Sequence, residues 1–321
     1  MSFSIKIKKE ITNLEKTKAE KIAELSAFIR NNAYIDENLI NIHTENITLA
    51  KWVFKLLKDL YDINPQIIIR RNFNFKKNYS YFLSINPRRN DLLKDLSIIN
   101  KEGFFINIPR EYIIGDEELI KAYLRGVFLA SGSINNPKTS QYHLEIAIDE
   151  LEYALFMESL LNSFNLNSKM IKRIKGYVIY IKAADKISDF LKMIEAHKGV
   201  LYFEDVRVYK EQRNITNRLN NCEQANVERI INTAFKQIED INLIKEELGL
   251  HFLDNKLEEV AKYRLKYPEY SLLELSDIIT SKTKKPISKS GLYHRFRKIK
   301  QLADNIRKNK IKSEDKKEDI F

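Results

Sequence analysis

Hydrophobic positions along the chain alternate between a helical and an extended period. Ile22, Leu25, Phe28 and Ile29 recur three and four apart and predict a helix over 18–33. Short extended runs at 34–35 and 39–43 follow, split by the polar Asp36, Glu37 and Asn38. Leu49, Val53, Leu56, Leu57 and Leu60 then share one side of a helix over 46–61. Two β-type runs, 66–70 and 79–85, flank a basic polar bend, and a short helix is expected over 88–98. The same order returns about 100 residues later. A helix over 116–131 carries Leu119, Tyr123, Val127 and Phe128 and is broken at 132–137. Residues 142–148 alternate strictly, an amphipathic helix covers 150–164, and strands at 169–174 and 177–182 flank a hairpin turn at Lys175 and Gly176. A helix over 184–197 closes the second copy. A repeat of this length implies a pseudo-twofold αββαββα pair, the alternative being two unrelated α+β stretches.

After Gly199 the pattern changes. Residues 207–221 are polar and rich in Asn and Arg, a linker by composition. Over 223–248 a long amphipathic helix is expected, with Val227, Ile230, Ile231, Ala234, Ile238 and Ile241 on a shared face and Gly249 as its stop. Asp254 opens a helix to about 266, before Pro268. Ser271 and Glu274 form a capping box that starts a helix to about 280. Residues 281–287 read as a turn, and Ser288 caps a last helix to about 306. The predicted fold class is α+β: the αββαββα pair over 1–205, a linker and amphipathic helix over 206–250, an all-α region over 251–310 and a polar tail over 311–321.

Composition narrows the function classes. With 44% hydrophobic and 31% charged residues the chain can build a packed core, which excludes wholesale disorder. No apolar run is long enough to span a membrane, and the first residues lack the apolar stretch of a secretory signal. The single cysteine, Cys222, excludes an internal disulfide and a cysteine-cluster metal site, and points to a reducing, cytoplasmic setting. The net charge of +11 is concentrated: 281–310 carries 11 basic residues against Asp304 alone, whereas 219–280 has a net charge of −5. Such a basic block favours a polyanion.

Within 271–304, a short capped helix, a turn and a strongly basic helix are the elements of a helix-turn-helix. The second helix can enter a major groove. Its outward candidates are Lys289, Ser290, Tyr293, His294, Arg297 and Lys298, while Leu292, Phe296 and Ile299 fall on the inward side. Ser288 and Arg295 complete the expected DNA-binding set on this helix, and Lys282, Lys284 and Lys285 in the turn are expected to touch phosphates. The turn is longer than the usual three or four residues. The competing reading is a three-helix packing module with a solvated basic face.

The segment Leu124-Arg-Gly-Val-Phe-Leu-Ala-Ser-Gly-Ser133 resembles the LAGLIDADG helix of homing endonucleases. In those enzymes an acidic residue near the end of each of two such helices binds a divalent metal. Here Ser131 stands at that position in the second copy and Asn32 in the first. Neither is anionic, and divalent phosphodiester chemistry needs anionic oxygen ligands. The implied domain is therefore a nuclease scaffold without its catalytic pair and without a metal site, Asp36, Glu37 and Glu145 being the nearby acids that could substitute.

The resemblance becomes specific over nearly the whole chain. Ser2-Phe-Ser-Ile-Lys-Ile-Lys-Lys-Glu-Ile11, Ala122-Tyr-Leu-Arg-Gly-Val-Phe-Leu-Ala-Ser-Gly-Ser-Ile134, Arg213-Asn214, Asn217-Arg218, Asn221-Cys-Glu-Gln-Ala-Asn226 and Ser288-Lys-Ser-Gly-Leu-Tyr-His-Arg295 resemble, in order and spacing, the WhiA family of bacterial regulators. Many relatives carry a second glycine where Ser131 stands. The resemblance implies a degenerate LAGLIDADG domain without nuclease activity, joined to a C-terminal helix-turn-helix that binds double-stranded DNA. It also implies a cytoplasmic, nucleoid-associated transcriptional regulator or nucleoid factor in cell division and chromosome segregation, or in sporulation. A further protein partner from transcription or cell division is implied, an iron–sulfur protein of the WhiB type in actinobacteria, and no cofactor.

Three readings stay open on the residues. Arg70, Arg71, Lys76, Lys77, Lys172, Arg173, Lys175 and Lys182 lie on or beside the β-runs and form a weaker second DNA surface or a merely solubilising one. The enzyme alternative is an active LAGLIDADG endonuclease or intron-RNA maturase. The third is a protein-interaction scaffold docked through the acidic helix 223–248. The five histidines show no metal-ligand spacing and read as packing or surface groups, His294 excepted.

Overall fold

The computed structural model describes residues 2–72, 78–86, 89–139 and 141–318. The chain divides into two compact units, Met1–Glu211 and Gln212–Phe321.

The first unit is the duplicated α+β fold. Its elements are α1 (Phe3–Ile11), α2 (Lys18–Asn32), β1 (Ala33–Ile35), β2 (Ile40–Thr44), α3 (Ile47–Tyr61), β3 (Gln66–Asn72), β4 (Asn78–Ile85) and α4 (Arg89–Asp95). The second half holds α5 (Glu111–Ile114), α6 (Glu117–Ser131), β5 (Gly132–Ile134), β6 (Leu144–Ile148), α7 (Leu151–Ser163), β7 (Lys169–Lys172), β8 (Tyr177–Ile181), α8 (Ala184–Met193) and the start of α9 (His197–Glu247). The sheet orders β1-β2-β4-β3 and β5-β6-β8-β7 are the same and both are antiparallel, so the two halves repeat one topology. Residues 132–134, expected as a break, form β5: the chain leaves α6 directly into extended backbone at Gly132 (ψ 142°) and pairs with β6. Helix α1 has no counterpart in the periodicity reading.

Helices α2 and α6 are the spine of this unit. Thr17 and Glu20 close a capping box at the start of α2, and Asp116 caps α6. Their contact is close because Gly126 lies on α6 opposite Ala27 of α2. A Cβ added at Gly126 would stand 2.3 Å from the Glu24 carbonyl oxygen and 2.8 Å from Ala27 Cβ. Leu25, Phe28, Ile29, Leu124, Val127 and Phe128 are fully buried around this line. A charged cluster sits within it. The Arg125 guanidinium bonds Glu24 at 2.6 Å and Glu20 at 2.8 Å, and Lys16 Nζ reaches Glu24 Oε2 at 2.7 Å. Burial lifts the Glu24 carboxyl above its usual range, against the lowering pull of Lys16 and Arg125.

The second unit is all-α: the rest of α9, α10 (Asn255–Lys266), α11 (Leu272–Thr283) and α12 (Lys289–Glu318), with one 3-10 turn at Leu250–Phe252. Residues 207–221, expected as a linker, are helical and continue α9 without a break. Polar composition did not reveal this: the four asparagines in the segment disfavour a helix, but no Gly or Pro breaks it. The shared face expected for 223–248 is also corrected. Val227, Ile230 and Ile231 are exposed, and burial starts at Ala234 and continues through Ile241 and Ile244. Only that last stretch packs with Leu257, Val260, Leu275, Ile279, Leu292, Phe296, Ile299 and Ala303 in the core of the unit. Gly249, at φ +81°, ends the helix in a conformation other residues rarely adopt.

Candidate nucleic-acid interface

The helix-turn-helix geometry follows from local caps. Ser271 accepts the Glu274 backbone N–H while the Glu274 carboxylate accepts that of Ser271, which fixes the start of α11. Hydrogen bonding to the Ser271 backbone holds the Glu274 carboxyl below its usual range. Lys284 ends α11 in the left-handed region (φ 56°), donating its N–H to the Thr280 carbonyl. Thr280 Oγ1 then accepts the Ile287 N–H at 3.2 Å and ties the turn back to α11. The Gly291 N–H donates to Ser288 Oγ at 3.1 Å, so Ser288 caps α12. The turn between Thr283 and Lys289 is five residues, shorter than expected because α11 runs past 280.

Helix α12 separates its faces cleanly. Leu292, Phe296, Ile299 and Ala303 are buried against α10 and α11. Lys289, Ser290, Tyr293, His294, Arg297 and Lys298 are all exposed, as are Lys282, Lys284 and Lys285. Tyr293 and His294 stand edge to face, 5.9 Å between ring centroids. Arg295 differs: it is half-buried, and its Nη1 lies 3.5 Å from the Lys256 carbonyl on α10, away from the outward set. Further along, Arg307 is paired with Asp240 of α9 at 2.6 Å and with Asp304 at 2.9 Å. It is thereby held to the protein, although it belongs to the same basic block. Periodicity alone misses this distinction, since the acid comes from a distant part of the sequence.

In the first unit the two positions aligned with nuclease acids lie at the ends of α2 and α6. Asn32 Oδ1 and Ser131 Oγ are both buried atoms without a hydrogen-bond partner. Each is neutral, so the two do not fit a divalent cation, which calls for anionic oxygen. Of Asp36, Glu37 and Glu145, the first and the last are engaged elsewhere. Asp36 Oδ1 accepts the backbone N–H groups of Asn38 and Leu39 in the β1–β2 turn. Glu145 lies 3.4 Å from His143 and 3.7 Å from Arg173. Among the described residues no group of three His, Cys, Asp or Glu side chains is placed to hold a metal. Next to Asn32, Arg30 stacks on Tyr153 and donates to the carbonyls of Ser97, Ile106 and Asn107, tying the segment after α4 to α2.

The sheets carry basic side chains laid over rings. Arg70 lies 4.9 Å from the Phe82 ring, on which His43 also stacks at 4.7 Å, and Lys182 lies 5.0 Å from the Tyr180 ring. Lys172 and Lys175 are exposed, and Arg173 faces Glu145. Lys76 and Lys77 lie outside the described residues.

Three family descriptions match the chain in order. They are the WhiA N-terminal LAGLIDADG-like domain over 18–99, the WhiA LAGLIDADG-like domain over 120–213 and the WhiA C-terminal HTH domain over 216–303. The chain belongs to the WhiA family. Among WhiA relatives, proteins of Staphylococcus haemolyticus and Staphylococcus epidermidis named probable cell division protein WhiA are 42% identical over 311 residues, 96% of this chain and 98% of theirs. The fold agrees with the crystal structure of full-length DUF199/WhiA from Thermatoga maritima, at a TM-score of 0.59 and 27% identity over 95% of this chain and 99% of that one. A WhiA chain thus joins a LAGLIDADG-like unit to a helical HTH region. No helix among the described residues is long and apolar enough to cross a membrane.

Proposed function

We propose that this WhiA-family chain is a DNA-binding regulator that acts in cell division and chromosome segregation and cuts no DNA. The observation that carries the reading is the division of α12 into a buried apolar face and an exposed face bearing Lys289, His294, Arg297 and Lys298. With Lys282, Lys284 and Lys285 beside it, this face can neutralise phosphates while the start of the helix meets base edges. The role in cell division is carried over from the names of the staphylococcal relatives. A cytoplasmic place on the nucleoid, and a further protein partner from transcription or division, belong to the same reading. The basic side chains over the sheets add a second, weaker contact with DNA.

The neutral Asn32 and Ser131 support the absence of nuclease activity. Incubating the full chain with plasmid and Mg²⁺ or Mn²⁺ tests it, and metal-dependent nicking would restore the endonuclease reading. Duplex binding is tested by titration at several salt concentrations. If about six phosphates are neutralised, the log–log slope is near −5. A variant carrying Arg295→Ala, Arg297→Ala and Lys298→Ala should bind duplex far more weakly with the first unit still folded. Wild-type binding by that variant would remove α12 from the interface.

A further inference from the structure

We propose that the exposed part of α9 after Gln212 is a second DNA-reading helix, which lies in a major groove with Arg213, Asn217, Asn220 and Asn221 toward the bases. The inference rests on the DNA-binding reading above and extends it to a segment outside the helix-turn-helix. From Gln212 to Thr233 every side chain is exposed except the half-buried Ala225. At 1.5 Å per residue this is about 30 Å of helix with no packed face. Helical stability in proteins comes mostly from tertiary packing, and the exposure of this stretch leaves it almost none.

Its composition is also wrong for a helix selected for stability. Asn214, Asn217, Asn220 and Asn221 fall within eight residues, and Asn is a poor helix former. Among the described residues none of these four side chains, nor Arg213 or Arg218, has a side-chain hydrogen bond or ion pair within the chain. The amides and guanidinia are left free to bond to something outside. Arg213, Asn217, Asn220 and Asn221 recur at helical spacing and share one side.

The occupant follows from chemistry and charge. Between Gln212 and Cys222 there are two arginines and no acid, Arg213 in the amide row and Arg218 beside it, so this segment is cationic. Asn pairs bidentately with adenine and Arg with guanine in the major groove, which is wide enough to admit a bare helix. Arg218, to one side of the amide row, is placed for a phosphate.

The test uses the full chain and a duplex enriched by it from a randomised pool. Asn217→Ala with Asn221→Ala should lower affinity for the enriched duplex about tenfold or more and leave affinity for an unselected duplex within about twofold. Alanine strengthens the helix, so such a loss is not fraying. If that variant binds the enriched duplex as wild type does while Arg297→Ala with Lys298→Ala weakens binding, the inference falls and the α12 reading stands. An equal loss on both duplexes would also overturn base reading by α9. A change in the chain's mass in solution with unchanged DNA affinity would assign the face to a second copy instead. If the wild-type chain retains no duplex at all, both readings fall together.

Discussion

Arg125 Nε lies 2.6 Å from Glu24 Oε1, and both side chains are fully buried between α2 and α6. The charge is shared with Lys16, 2.7 Å from the other Glu24 oxygen, and with Glu195, 3.3 Å from Arg125. A buried ion pair contributes little net stability, but removing one partner leaves the others uncompensated. Glu24→Gln takes the carboxylate from Lys16 and leaves Arg125 only Glu20 and Glu195 at the edge of the cluster. We expect it to lower the unfolding free energy by about 3–5 kcal/mol, measured by urea denaturation. A loss below about 1 kcal/mol would show that water reaches the cluster.

Gly126→Ala sets two effects against each other. Helix propensity favours alanine by about 1 kcal/mol. The added Cβ would meet the Glu24 carbonyl oxygen at 2.3 Å, which backbone cannot yield without separating α2 from α6. The clash should dominate, with a net loss of about 1–3 kcal/mol or more seen as a lower Tm. A raised Tm would mean the two helices have room to part.

The Lys8 ammonium on α1 donates to the Leu129 carbonyl at 3.1 Å, lies over the Phe128 ring, and is pushed down to about 8 by burial. Below that pH both folded and unfolded chains hold the proton and the fold bears the burial cost. Between about 8 and the ordinary lysine value of 10.5 only the unfolded chain keeps it, so stability rises with pH. Compared with Lys8→Met, the wild-type unfolding free energy should rise across this window by up to about 3 kcal/mol. Parallel pH profiles of the two proteins would refute it.

Arg295 and Arg297 are neighbours in sequence with different surroundings. Arg297 is exposed on the outward face, whereas Arg295 is half-buried with its guanidinium toward the Lys256 carbonyl. If α12 meets DNA outward, Arg297→Ala should weaken duplex binding about tenfold and flatten the salt dependence by roughly one phosphate. Arg295→Ala should change binding by less than about threefold and act mainly on stability. Equal effects in a titration would mean the helix presents another side.

Most of the architecture was legible in the chain. The alternation at 142–148, the apolar periodicity of 18–33 and 116–131, and the capping box at Ser271 are local signals, so the elements follow from neighbouring residues. The separation of Leu292, Phe296 and Ile299 from the basic residues of α12 was likewise readable, because one helical period fixes both faces. What periodicity could not reach depends on residues far apart in sequence. Strand β5 exists because β6 offers it hydrogen bonds, Val227 and Ile230 stay exposed because none of the described residues covers them, and Arg307 is held by Asp240. The same holds at the ends of α2 and α6. Sequence alone determined that Asn32 and Ser131 carry no charge, since that is a property of the residue. Tertiary structure alone decided that their oxygens are buried without partners and that Asp36 and Glu145 are engaged elsewhere, because burial and pairing are set by what the fold brings alongside.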